Sequence, residues 1–334
     1  MGTEIHRLDA MKLEDYCKYV NINRIHGITD NSDRPFWSVM IPVCGREKYL
    51  SMSLKSVLDQ GIDKDRIQIQ IVENCHRNDK IKNLVREIGG EEVEYFRQPN
   101  DVTINENWNT CIERARGRWI HILHDDDYVL HNFYKSYEKT IKMNPDIEML
   151  FGPSILVDQN GSKIGALLPK MNDVDGSEPD ILSILVHNSI ACCSVVTSRS
   201  LFERIGGFSN DIVYGIDFEM WIRALGFGNI GCMTTPYSAY RQHGDSGSNT
   251  DFKNSKRPIL ETLFTRGLSM KLLSCRLEYA DRLRLYLSYL FYSIRSTPSF
   301  IRDGGTMDES LRILLSNLDT IDRRLLLLES VLSP

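Results

Sequence analysis

The chain has 334 residues, 40 of them Lys or Arg and 45 Asp or Glu, for a formal net charge of −5, and 42% are hydrophobic. This is the balance of a core-forming globular chain, and it excludes collagen-like repeats, long disordered tracts and a disulfide-stapled mini-domain. A mildly acidic total without a local basic stripe also argues against general nucleic-acid binding.

Residues 1–35 read as an N-terminal arm, with a helix from Leu8 to Val20 and a linker ending at Arg34-Pro35. Met1 to Asp15 has no apolar core of the kind a secretory leader needs. From Phe36 the pattern changes. The run Trp37-Ser38-Val39-Met40-Ile41-Pro42 predicts a buried strand stopped by proline, and 47–60 then carries Tyr49, Leu50, Leu54, Val57 and Leu58 at helical spacing. Strands at 67–72, 93–97 and 119–123 alternate with helices at 79–88 and 105–115. Such alternation predicts successive right-handed crossovers and an open, doubly wound α/β sheet, in which ligands bind beyond the carboxyl ends of the strands. The segments at those ends are 42–46, 73–75, 99–101 and 124–127, and they are expected to share one rim.

Farther along, a helix is expected at 132–142, a strand at 148–157, a mobile Asp/Asn/Gly-rich loop at 168–179, an apolar stretch at 190–197 and a helix at 200–205. An amphipathic helix follows at 217–225, and the chain from Pro258 to Leu332 reads as a helical appendage. Its arginines Arg276, Arg282, Arg284 and Arg295 suit an anionic membrane surface, and more readily an ordinary packing or dimer face. The apolar stretch 285–294 is too short for a bilayer span. None of the eight cysteines forms a C-x-x-C pair, so reduced thiols in a cytosolic protein are expected.

Three segments carry chemistry. Asp125-Asp126-Asp127 follows the strand 119–123 directly, and adjacent carboxylates raise one another's pKa unless a cation sits among them. A hard divalent ion relieves that repulsion and commonly takes substrate phosphates as further ligands; a solvated turn is the plainer reading. Asp217 opens the amphipathic helix, either as an N-cap or as a carboxylate facing a cleft, and Glu219 sits one helical turn before Arg223, as a pair or an acceptor contact. Tyr240-Arg241-Gln242-His243-Gly244-Asp245-Ser246-Gly247-Ser248 reads by itself as a flexible Gly/Ser-rich loop with a lone histidine.

Taken in order, Trp37 to Pro42, Arg46 to Leu50, Ser56 to Gln60, Ile71-Val72-Glu73-Asn74 and Ile122 to Asp127 resemble the motifs of a family 2 glycosyltransferase over residues 36–245. The resemblance implies a GT-A type doubly wound mixed α/β sheet flanked by helices. It spans 36–255, with a nucleotide-binding half at 36–128, an acceptor half at 129–255 and a helical C-terminal region at 256–334. It further implies inverting transfer from a nucleoside diphosphate sugar, commonly a UDP-sugar, to a saccharide or lipid-linked saccharide acceptor, in bacterial-type surface polysaccharide or glycoconjugate synthesis. The implied cofactor is Mn²⁺ or Mg²⁺. By the same resemblance Pro42, Val43, Cys44, Arg46, Glu73, Asn74 and Asn107 hold the nucleoside side. Asp125 and Asp126 lie by the ribose and diphosphate, Asp127 and His243 bind the metal, Arg241 and Ser246 contact phosphate, and Asp217 is the catalytic base. Cys44 stands where an aromatic residue is common, Glu73 where the family has Asp, and His124 where many members have another Asp. The rival reading is a non-catalytic nucleotide-sugar-binding scaffold. A nucleotidyltransferase would want a Gly-rich phosphate loop, and 43–48 supplies a single Gly.

Overall fold

The computed structural model describes residues 11–28, 33–75, 78–244 and 257–273, with scattered positions between 276 and 289. They belong to two compact units, one holding residues 11–244 and the other the residues from 257 onward.

The first unit begins with a single helical turn, α1 (Leu13–Tyr16), in place of the longer helix expected at 8–20. Residues 8–10 of that expected helix lie outside the described residues. The alternating part follows as β1 (Trp37–Cys44), α2 (Leu50–Leu58), β2 (Ile67–Asn74), α3 (Lys80–Gly89), β3 (Val93–Arg97), α4 (Ile104–Arg114) and β4 (Trp119–Ile122). Every residue of β1 except Cys44 is buried, as expected of a strand covered by helices on both faces. Thr103 and Glu106 form a reciprocal capping box that fixes where α4 starts.

Next come β5 (Tyr128–Val129), α5 (Phe133–Met143), β6 (Met149–Phe151), β7 (Ser154–Val157), β8 (Lys163–Leu167) and α6 (Ile181–His187). A 3-10 turn at Cys192–Ser194 leads into β9 (Val196–Ser198), α7 (Arg199–Ile205), α8 (Ile216–Phe227), β10 (Ile230–Cys232) and β11 (Ser238–Arg241). The main sheet has seven strands in the order β10-β6-β9-β4-β1-β2-β3. All neighbours in it are parallel except β9, which runs against both β4 and β6. The strand order reverses between β1 and β4, which is the crevice where doubly wound sheets bind ligands. A second sheet, β5-β11-β7-β8, lies beside it in sequence and brings the segment after β4 next to the end of β11.

The structure departs from the sequence expectations in several places. β1 does not stop at Pro42 but continues to Cys44, because its pairing with β4 ends at Met40 and a missing N–H is tolerated beyond that point. The expected strand at 148–157 is split at Gly152-Pro153 into β6 and β7, which belong to different sheets. The loop at 168–179 is tied down: the Thr234 amide and hydroxyl donate to Asp175, and the Gly176 amide donates to the Cys232 carbonyl. The reduced state expected for all eight cysteines is also corrected. Cys44 and Cys75 are disulfide-bonded, since parallel pairing of β1 with β2 puts Cys44 opposite Asn74 and leaves the two Cα atoms 5.1 Å apart.

The second unit contains α9 (Arg257–Leu273), which buries Leu268, Leu272 and Leu273. Among the described residues no helix is long and apolar enough to cross a membrane. The remainder of the expected helical tail, Arg295 included, lies outside the described residues.

Candidate functional site

The site is built where β4 ends. β4 and the residues just after it lead through Leu123, whose amide donates to the Met40 carbonyl of β1, into His124-Asp125-Asp126-Asp127. Pairing of Tyr128 with Ala239 between β5 and β11 then places Arg241 and His243 against this acidic turn. The Arg241 amide donates to Asp127 Oδ1 at 2.8 Å, and its Nε donates to the Asp126 carbonyl at 2.9 Å. His243 Nε2 lies 3.0 Å from Asp126 Oδ2. From the β1 side, Arg46 reaches Asp125 Oδ1 at 3.3 Å and Asp126 Oδ2 at 3.9 Å. The guanidinium of Arg241 sits 4.4 Å from the Tyr49 ring centre, and that ring packs 5.0 Å from the His243 imidazole.

The electrostatics are those of carboxylates crowded in a dry place. Burial and the neighbouring Asp126 push Asp125 up to about 7, against the pull of Arg46. Burial, then Asp126, raises Asp127 as well, while the Arg241 amide holds it down. One ligand atom each from His124, Asp126 and Asp127 lies within 4.8 Å of the others. Asp127 Oδ2 and His124 Nε2 are buried without a hydrogen-bond partner. A hard cation would satisfy this donor set, so the residues present fit a divalent metal.

Asp217 is the second residue of α8, two positions after its N-cap Gly215, so it is not the cap itself. Its carboxylate accepts the Phe218 amide at 2.7 Å, and packing around it raises its pKa. Tyr240 of β11 and Cys192 link this helix to the acidic turn. The Tyr240 hydroxyl feels the fields of Asp127, Asp217 and Asp126 together, and the Cys192 thiol those of Asp217 and Asp127. Tyr240 and Cys192 therefore each interact electrostatically with both Asp217 and Asp127. Glu219 pairs instead with Arg223, as the helical spacing suggested, with 2.8 Å between Oε2 and Nη2.

Not every candidate offers free polar atoms at that rim. Val43 is in the core, and Pro42 is buried beside it. Cys44 is taken up in the disulfide. The Glu73 carboxylate accepts from Tyr95 and from Arg97 Nε. Asn74 exchanges two hydrogen bonds with Val102, and Asn107 bonds Gln98 and the Val72 carbonyl. Ser246 lies outside the described residues. Tyr49, Met52 and Tyr240 were missed by sequence reasoning. Tyr49 and Met52 sit on an ordinary amphipathic pattern, and only the pairing of β5 with β11 brings Arg241 to them.

Residues 38–166 match the family model for glycosyl transferase family 2. Over this segment the chain is a family 2 glycosyltransferase. The glycosyltransferase is 22% identical to an uncharacterized protein of Mycobacterium tuberculosis, over 70% of its own length and 75% of the relative's. It is 23% identical to an uncharacterized glycosyltransferase of Methanocaldococcus jannaschii, over 58% of its length and 66% of the relative's. Its fold is shared with residues 1–349 of S. aureus TarS, solved in complex with UDP-GlcNAc, at a TM-score of 0.64 and 16% identity over 84% of this chain and 79% of that one. The mannosyltransferase PcManGT from Pyrobaculum calidifontis, solved with GDP-Man and Mn²⁺, aligns at a TM-score of 0.51 and 12% identity, over 92% and 85% of the respective chains. The doubly wound GT-A arrangement expected for the sheet is thus present.

Proposed function

We propose that the glycosyltransferase moves a sugar from a nucleoside diphosphate sugar, a UDP-sugar in the first instance, to an acceptor hydroxyl by single displacement with inversion. The observation that supports this is that Tyr240 and Cys192 each interact electrostatically with both Asp217 and Asp127. Inverting displacement needs a base and a diphosphate-holding group on opposite sides of one anomeric carbon, and Asp217, a carboxylate with a raised pKa, and the acidic turn are the two groups suited to those roles. Residues 36–128 form the nucleotide half and 129–255 the acceptor half. Mn²⁺ or Mg²⁺ would be held by Asp126, Asp127 and His124, with His243 bound to Asp126. When bound, the ion supplies positive charge beside the departing diphosphate.

The chain's own residues do the rest. Asp217 takes the proton of the acceptor hydroxyl as that oxygen attacks. Arg46 and the Arg241 guanidinium bring positive charge to the diphosphate side. Tyr49 holds Arg241 in place by ring contact. The acceptor is a saccharide or a lipid-linked saccharide in surface polysaccharide or glycoconjugate synthesis.

The test has two arms. Thermal shift with UDP-GlcNAc and GDP-mannose, each with and without Mn²⁺, is expected to show a metal-dependent rise in melting temperature with one nucleotide sugar. Asp217→Asn is expected to keep that rise and lose transfer. Turnover retained in Asp217→Asn removes the base assignment, and no shift with any nucleotide sugar removes the donor class.

A further inference from the structure

Residues 12–28 precede the matched family segment, yet they pack against the approach to α8. The Asn210 amide donates to the Asn21 carbonyl, and the Gly207 amide to the Asn23 carbonyl, both at 2.8 Å. The Asn21 amide reaches Asp211 Oδ2 at 3.0 Å, and Ile22 bridges to Ser209. From the other side α4 holds the same turn: Asn109 donates to the Phe208 carbonyl and accepts its amide, and Asn105 donates to the carbonyls of Ser209 and Ile212. The turn is glycine-rich for this reason. Gly206 has φ +82°, and a Cβ there would run into Ile22 and lie 2.8 Å from the Asn23 carbonyl; a Cβ on Gly207 would strike Asn109 Oδ1.

The same strap reaches into the helix. Tyr16 is fully buried, and its hydroxyl donates to Glu219 Oε1 at 2.8 Å. Glu219 accepts Arg223 Nε at 2.9 Å and Nη2 at 2.8 Å, and the guanidinium also donates to the carbonyls of Ile205, Gly206 and Gly207. The Glu219 amide closes the first turn of α8 onto Gly215. Asp217 lies inside that turn. The buried network Tyr16–Glu219–Arg223 therefore fastens the first turn of α8 to the strap on one side and to the 205–207 turn on the other.

We propose that residues 12–28 are a positioning strap for the base, and that Tyr16, acting through Glu219, is a positioning residue for Asp217. This rests on the reading of Asp217 as base. The strap sets the orientation of the carboxylate toward the acceptor hydroxyl and does not touch the donor, so its loss lowers kcat and spares donor binding. A misplacement of about 1 Å at a reacting group can cost about 100-fold in rate, and loss of a single hydrogen bond allows a smaller shift.

The test compares Tyr16→Phe with Val85→Ala, which opens the packing of a buried residue of α3 outside the strap. Nucleoside diphosphate release from UDP-GlcNAc or GDP-mannose with Mn²⁺ gives kcat and donor KM, and hydrogen exchange reads the amides of 216–219. Tyr16→Phe is expected to lower kcat about tenfold with donor KM within about twofold, and to speed exchange at 216–219 but not at 38–74. Val85→Ala is expected to lower melting temperature and leave kcat unchanged. Unchanged kcat and exchange in Tyr16→Phe overturn the proposal, as does a parallel loss of donor affinity in Tyr16→Phe or an equal loss of kcat in Val85→Ala. Turnover retained in Asp217→Asn overturns the base reading alone, because the exchange response of 216–219 remains readable without it.

Discussion

His121 makes the stability of this enzyme depend on pH in a calculable way. It lies in β4, fully buried, stacked on Phe133 at 4.9 Å between ring centres. Its Nε2 is 3.1 Å from the Cys193 carbonyl and its Nδ1 is 2.9 Å from the Tyr134 hydroxyl. A carbonyl only accepts, so Nε2 carries the proton and Nδ1 accepts from Tyr134, an arrangement that the neutral ring satisfies completely. Burial accordingly pushes the pKa down from 6.5 to about 3. A histidine depressed in the folded state binds protons more readily when unfolded, so its contribution is complete above about pH 6.5 and is lost as pH falls toward about 3. Between pH 7 and pH 5 that loss is about 2 kcal/mol, about two thirds of what the limiting slope of about 1.4 kcal/mol per pH unit would give, because the unfolded histidine is only partly protonated near pH 7. The assay is urea denaturation at both pH values for the wild type and for His121→Asn, which cannot titrate. The wild type is expected to lose about 2 kcal/mol more than the variant over this interval. Equal losses in the two proteins would refute a depressed, neutral His121.

Three further outcomes follow from the same structure. Because packing raises the pKa of Asp217, and a base works only when deprotonated, kcat is expected to fall on the acid side at a pH above the ordinary carboxylate range; an acid limb near pH 4 would contradict this. Gly206→Ala places a side chain at φ +82° against Ile22 and Asn23, and is expected to cost about 1–3 kcal/mol or more in denaturant unfolding, against no change if the strap yields freely. Cys44→Ser opens a cross-link between residues 31 apart, and is expected to remove about 2–4 kcal/mol of stability under oxidising conditions, a difference that dithiothreitol abolishes.

The parallel core was legible because β1, buried on both faces, reads as an apolar run, and the strands after it alternate regularly with helical periods. The rim after β4 was legible for a related reason: three consecutive carboxylates at a strand end are hard to account for without a positive partner. What was hidden required knowledge of pairing. Cys44 and Cys75 carry no local signal, and only the register of β1 against β2 brings them together. The strand expected at 148–157 concealed a change of sheet at Gly152-Pro153, since both halves are equally apolar. α6 was missed because Ile181 to Val186 is too uniformly apolar to show a helical period. Tyr16 looked like one more aromatic on a short amphipathic turn, and its partner Glu219 lies 203 residues away.

Charge compensation separates the acidic residues of the site by role. Glu73 is matched by Arg97, Glu219 by Arg223 and Asp125 by Arg46, each through a direct ion pair. A buried carboxylate matched in this way is costly to disturb and poorly available for proton transfer, because its charge is already committed. Asp127 and Asp217 differ. Among the described residues neither has a Lys or Arg side chain within ion-pair distance. Asp127 has a backbone amide and a histidine 3.8 Å away, and Asp217 has the amides of its own helix turn. Burial raises the pKa of both, and for Asp127 the charge of Asp126 adds to it. An uncompensated carboxylate in a dry site needs a proton or an external cation, and the two positions suit different ones. Asp127 stands with Asp126 and His124, whose ligand atoms converge, so a metal ion is the counter-charge that fits there. Asp217 stands apart on a helix N-terminus; in its proposed role the proton taken from an acceptor hydroxyl supplies the neutralisation, and the same burial that raises its pKa strengthens it as a base.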